Sequence, residues 1–135
     1  MKKILTIVCS AMVLLSISSC TKQYVAPNNT ETVVATLAPT DWSLYTDSKS
    51  YAATINVADI VPDFVNTGAV IVAISYADGV YESLPEVYNG TSFSYIYNSG
   101  DNTGVVQVFA QSADGNTPIA PTQPIKVKIT LIATN

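Results

Sequence analysis

The chain contains no histidine and no arginine, and these two absences exclude more chemistry than any motif supplies. Without histidine there is no imidazole to activate a serine nucleophile, no usual ligand set for zinc or copper, and no group titrating near neutrality. Without arginine there is no bidentate clamp for a carboxylate or phosphate. Cysteine is confined to Cys9 and Cys20, so everything beyond them is free of disulfides and the core must provide stability alone. Six lysines stand against ten acidic residues, a formal net charge of −4. Nucleic acid and anionic headgroups are poor partners for such a chain, because binding phosphate relies on clustered cations. What remains for catalysis is carboxylates, tyrosine, serine, threonine and a few lysines.

The first twenty residues are organised differently from the rest. Lys2 and Lys3 precede an apolar stretch from Ile4 to Leu15, followed by the small residues of Ser16-Ile17-Ser18-Ser19. A basic start, a short apolar centre and small residues before a cut are the three parts of a secretory signal peptide. The apolar stretch is too short for a spanning helix, which needs about 20 such residues. Ile17-Ser18-Ser19-Cys20 also resembles the bacterial lipoprotein signal, which implies cleavage before Cys20 and its acylation with diacylglyceryl and amide-linked (palmitate-type) chains. Two or more chains anchor stably where a single one holds only reversibly. The expected organisation is a signal peptide over 1–19, a lipidated Cys20 with linker over 20–31, and one domain over 32–135. The mature chain then keeps four lysines against the ten acidic residues. Thr21 follows Cys20, and by resemblance to the enterobacterial sorting rule the absence of aspartate there implies delivery to the outer membrane. Lys22-Gln23-Tyr24 lacks the acidic residues that often follow the cysteine in surface-exposed lipoproteins, which favours the periplasmic face over the cell surface.

Beyond the linker, apolar residues recur with period two, the signature of half-buried strands. In Ile125-Lys126-Val127-Lys128-Ile129-Thr130-Leu131 the apolar positions share one face and the polar ones the other. Val33 to Leu37, Tyr51 to Val57, Thr91 to Tyr97 and Val105 to Gln111 read as further strands. Ala69 to Tyr76 is apolar at nearly every position, as expected of a strand covered on both faces. Turn chemistry separates these runs at Thr46 to Lys49, Asp78-Gly79, Asn89-Gly90, Ser99 to Asn102 and Ala113 to Asn116. Asp59 to Asn66 has room for one helical turn, which Pro62 keeps short. Seven or eight short strands in about 100 residues predict an all-β fold, an antiparallel β-sandwich of immunoglobulin-like size, with a small barrel as the alternative.

Asp41-Trp42, the run Asp59 to Val70, Leu84-Pro85 and the closing Ile125 to Ile129 together resemble a group of small uncharacterised lipoproteins from Bacteroidota. The similarity covers roughly Thr32 to the C-terminus. Some members of that group carry the domain behind a collagen-like stalk, which implies a displayed module, although this chain has no Gly-X-Y segment. The resemblance brings no catalytic or binding residues.

Candidate sites are few. Trp42, Tyr45, Tyr81, Tyr88, Tyr95 and Tyr97 are the supply of rings from which a carbohydrate site is built, yet the same residues favour strands for packing alone. Trp42, Tyr45 and Tyr88 are the candidates for stacking on a ligand. Asp101 and Asp114, beside Asn98, Asn102 and Asn116, offer hard oxygens of the kind calcium prefers, without the Asp-x-Asp-x-Asp-Gly run of a dedicated loop. Asp78, Glu82 and Glu86 are the closely spaced carboxylates. On one continuous strand Glu82 and Glu86 would lie about 13 Å apart, beyond the roughly 5 to 9.5 Å of glycosidase pairs, unless Pro85 bends the chain. They read as a solvated strand edge. The sequence therefore predicts a non-enzymatic, lipid-anchored envelope protein without a cofactor, acting as a structural, adhesive or protein-interaction module. A glycan-binding lipoprotein is the alternative.

Overall fold

Two antiparallel sheets stack face to face without closing into a barrel, in a computed structural model that describes residues 30–134. The expected signal peptide over 1–19, Cys20 and Lys22 to Tyr24 lie outside the described residues. The first sheet runs in the order β1 (Thr30–Leu37), β9 (Ile125–Ile132), β4 (Ala69–Ala77), β5 (Val80–Ser83). The second runs β2 (Ser43–Leu44), β3 (Tyr51–Asn56), β8 (Val105–Ser112), β7 (Thr91–Asn98), β6 (Glu86–Tyr88). A two-turn helix, α1 (Pro62–Thr67), occupies the segment predicted to hold a helical turn, with Pro62 in its first turn.

The predicted register of β9 holds. Ile125, Val127, Ile129 and Leu131 are buried, Lys126 is exposed, and Lys128 and Thr130 are half-buried on the outer face. Pairing sets Ile129 between Val33 of β1 and Val72 of β4, so three inward-facing rows interlock. Ala53 and Ile55 of β3, Val106, Val108 and Ala110 of β8, and Phe93 of β7 face them from the second sheet. Full burial of such a side chain contributes about 1.5–3 kcal/mol, which is how a domain without disulfides holds together. Gly104 is forced by contact: a Cβ there would lie 2.4 Å from Ile60 Cβ, because its carbonyl accepts from Val57 N at 2.8 Å.

The structure departs from expectation in β4. Val70, Val72 and Ile74 point into the core, but among the described residues no second layer covers the opposite face, and Ile71 is 45% exposed. Ala73 and Ser75 are buried on that face only because they are small and lie among taller neighbours. Lys128 pairs with Ala73, and its Nζ sits 4.1 Å from the centre of the Tyr81 ring. Periodicity cannot separate a strand covered on both faces from one that carries small side chains on its open face.

Candidate functional site

The chain passes from the first sheet to the second at Leu84-Pro85. β5 ends the edge of one sheet, β6 begins the edge of the other, and Leu84 anchors the corner by burying its side chain and donating its N–H to Val72 O at 2.9 Å. Glu82 and Glu86 are therefore not on one continuous strand. The corner instead sets Glu82 near enough to Glu86 for its charge to act on the Glu86 carboxyl. Glu86 is not simply solvated either: burial and the neighbouring Glu82 push its carboxyl above the usual range. The Tyr76 phenol is raised as well, by burial first and by the neighbouring Glu86 carboxylate second. Tyr76 Oη and Glu86 Oε1 are buried and adjacent without a well-aligned hydrogen bond.

The same corner assembles a row of rings. Tyr88, one residue before the Asn89-Gly90 hairpin turn, stacks on Tyr76 with centroids 3.7 Å apart and planes 11° apart. Tyr76 lies 6.1 Å from Phe93, and Phe93 meets Trp42 edge-on at 6.4 Å. The row thus runs from an exposed Tyr88 to a Trp42 that is 6% exposed. Asn89 and Gly90 both have positive φ, at 48° and 80°, the conformation a two-residue hairpin requires and the reason this dipeptide serves it. Between the rings and the return segment from β8 to β9 opens a cleft of about 470 Å³, lined among others by Tyr76, Tyr88, Asn89, Phe93, Thr122 and Gln123. Among the described residues its lining holds no charged side chain. Ring faces joined to neutral amides and hydroxyls suit a neutral, hydroxyl-rich ligand rather than an ion.

The predicted stacking residues are not brought together. Trp42 is a core residue, wedged against Phe93 with its Nε1 buried and unpartnered, and offers no face to a ligand. Tyr45 lies on the outer face of the second sheet, edge-on to Phe109 at 4.9 Å. Tyr88 alone reaches the cleft. Tyr95 donates to Val70 O at 2.7 Å and, with Tyr97, packs against the core. Sequence reasoning passed over Tyr76, which looks like the last residue of a buried run; the available signal was its place directly before the Ala77-Asp78-Gly79 turn, where a strand leaves the core. The 118–124 segment reads as a proline-rich loop and gives no hint that it forms a wall.

The acidic loops are turn structures. Asp114 accepts from Ser112 Oγ and from Asn116 N, contacts that hold its carboxyl below its usual range. Asp101 sits exposed on the loop between β7 and β8. Among the described residues no three acidic or sulfur side chains converge as a metal site would require. No family model, curated protein or solved structure matches this chain.

Proposed function

We propose that this chain is a lipid-anchored, non-enzymatic protein of the bacterial cell envelope, held on the outer membrane at its periplasmic face or at the cell surface and acting as a structural, adhesive or protein-interaction module. The observation that carries the reading is the run Ile17-Ser18-Ser19-Cys20 behind a short apolar segment, followed by a polar linker and a single domain. Cys20→Ala is expected to move the protein from the membrane fraction to the soluble fraction, and mass spectrometry of the purified wild type to find an N-terminal cysteine carrying acyl chains. An unmodified Cys20, or a mature terminus elsewhere, overturns the anchor.

One observation favours a second reading, glycan binding: the uncharged cleft beside the Tyr76–Tyr88 stack. Tyr88 would give its free ring face to a sugar while Asn89, Thr122 and Gln123 meet the hydroxyls. Such binding depends little on salt, because stacking and neutral hydrogen bonds are not screened as ion pairs are. Calorimetry with neutral polysaccharides should show a roughly tenfold or greater loss on Tyr88→Ala, worth about 1.4 kcal/mol. Trp42→Ala is a poor control, because it opens a cavity in the core. Affinity unchanged by Tyr88→Ala, or no heat with any polysaccharide, leaves the interaction module as the reading.

A further inference from the structure

Of the four sheet edges, three are blunted against pairing. β2 has two residues and β6 three. β5 has four, pairs with β4 through an irregular register between Ile74 and Ala77, and carries Glu82 on the side facing the core. Short strands, bulges and inward-pointing charges are the devices by which proteins keep sheet edges from accepting another strand. β1 has none of them. It is eight residues long, pairs with β9 without interruption over its whole length, contains no proline or lysine, and bears a single charge, Glu31, at its start. Among the described residues nothing pairs with its outer edge.

We infer that this edge is an interface, and that its partner is the β1 strand of a second copy of this chain, added antiparallel about a twofold axis perpendicular to the sheet. An antiparallel pair keeps each residue opposite one on the same face, so the axis passes through Val33 or Val34. Val33 already packs against the core, whereas Val34 is 57% exposed on the outer face. The axis through Val34 is therefore the one that gains burial, because it sets Val34 against its own copy. Thr32 then faces Thr36, Val33 faces Ala35, and the one charge, Glu31, faces Leu37 rather than another carboxylate. The strand is self-complementary: on the outer face β-branched side chains oppose one another, and no like charges meet. Two four-stranded sheets become one of eight, with both second sheets on the same side. A twofold axis along the membrane normal also sets both Thr30 residues at one height, about 27 Å apart at 3.4 Å per residue. The ten residues back to Cys20 reach up to about 35 Å, so two lipid-anchored copies can pair on one membrane. The pairing itself rests on β1 and needs neither the anchor nor an occupied cleft.

The test uses the full chain in its membrane, carrying Val34→Cys and exposed to a mild oxidant. The expected product is a disulfide-linked species of twice the mass, at least about tenfold more abundant than with Thr54→Cys, which lies exposed on the outer face of β3. Adding Thr32→Lys and Thr36→Lys sets lysines opposite one another across the axis and should cut the product by roughly tenfold. Replacing the second of these with Thr36→Glu sets lysine against glutamate and should restore it, which a merely damaged fold would not do. No doubled species, equal yields at the two cysteine positions, a product whose mass is not doubled, or no rescue by the charge swap overturns the inference. The wild type run alongside reports on Cys20: a dimer there counts against lipidation and not against β1, and the β1 variants are then compared in a Cys20→Ser background.

Discussion

The two flanks of the sandwich are built on opposite plans. On the β5–β6 flank the chain crosses between sheets, both edge strands are short, Leu84 is buried, and Glu82 and Glu86 turn inward beside Tyr76. On the β1 flank the edge is long, regular and nearly uncharged, and the connection to the second sheet runs through the single turn Pro39–Asp41. The first flank spends stability on polar groups gathered at a corner and gains a cleft. The second spends nothing and leaves a row of backbone donors and acceptors for a partner. Charge on an edge is thus informative by its placement: inward-pointing acidic residues on short edge strands such as β5 and β6 disfavour pairing with another strand.

The largest expected effect separates these flanks by stability. Leu84→Ala removes a side chain that is 7% exposed at the crossing and should cost about 2–5 kcal/mol in urea unfolding, as large-to-small core changes do. Val34→Ala on the open edge should stay within about 0.5 kcal/mol in dilute monomer, because its side chain has little to lose. Equal shifts in the two urea midpoints would show that β1 is not an exposed edge, and the contrast between the flanks would fall with it.

How far the sequence discloses this contrast depends on what period two can carry. The alternation in β9, the strands around Tyr51, Thr91 and Val105, the turn at Asn89-Gly90 and the sandwich itself are legible because local pattern and final burial agree. Two-residue β2 and the split of Val80 to Tyr88 into β5 and β6 are not, since strands of two to four residues repeat the alternation at most twice, too few times to stand out. The cleft is hidden for a related reason. Tyr76 and Tyr88 are twelve positions apart and on different sheets, and only the crossing at Leu84-Pro85 stacks them. For Trp42 the sequence favours core over platform, and Phe93 placed beside it shows why it is core. Which edge lies open is a statement about strand order, and strand order is the part of a sandwich that alternation leaves undetermined.

The smallest expected effect concerns the charge kept at the guarded corner. In the folded chain Glu86 holds its proton above the ordinary carboxyl value of 4.5, because burial and Glu82 both disfavour its ionised form. The native state then binds more protons than the unfolded chain in the interval above 4.5, and stability falls as pH rises through that interval and stays lower beyond it. Asp47, Asp78 and Asp114 have lowered values and slope the other way, losing stability as pH falls, so the wild-type curve alone does not isolate Glu86. The difference between wild type and Glu86→Gln does, since the three aspartates are common to both. The amide keeps the shape and cannot ionise. The variant is expected to match the wild type near pH 4 and to become the more stable of the two as pH rises past the folded value of Glu86, read as diverging urea midpoints. A difference that stays constant with pH, or that closes toward neutrality, would mean that the corner does not hold Glu86 against its charge, and that the two flanks differ in shape alone.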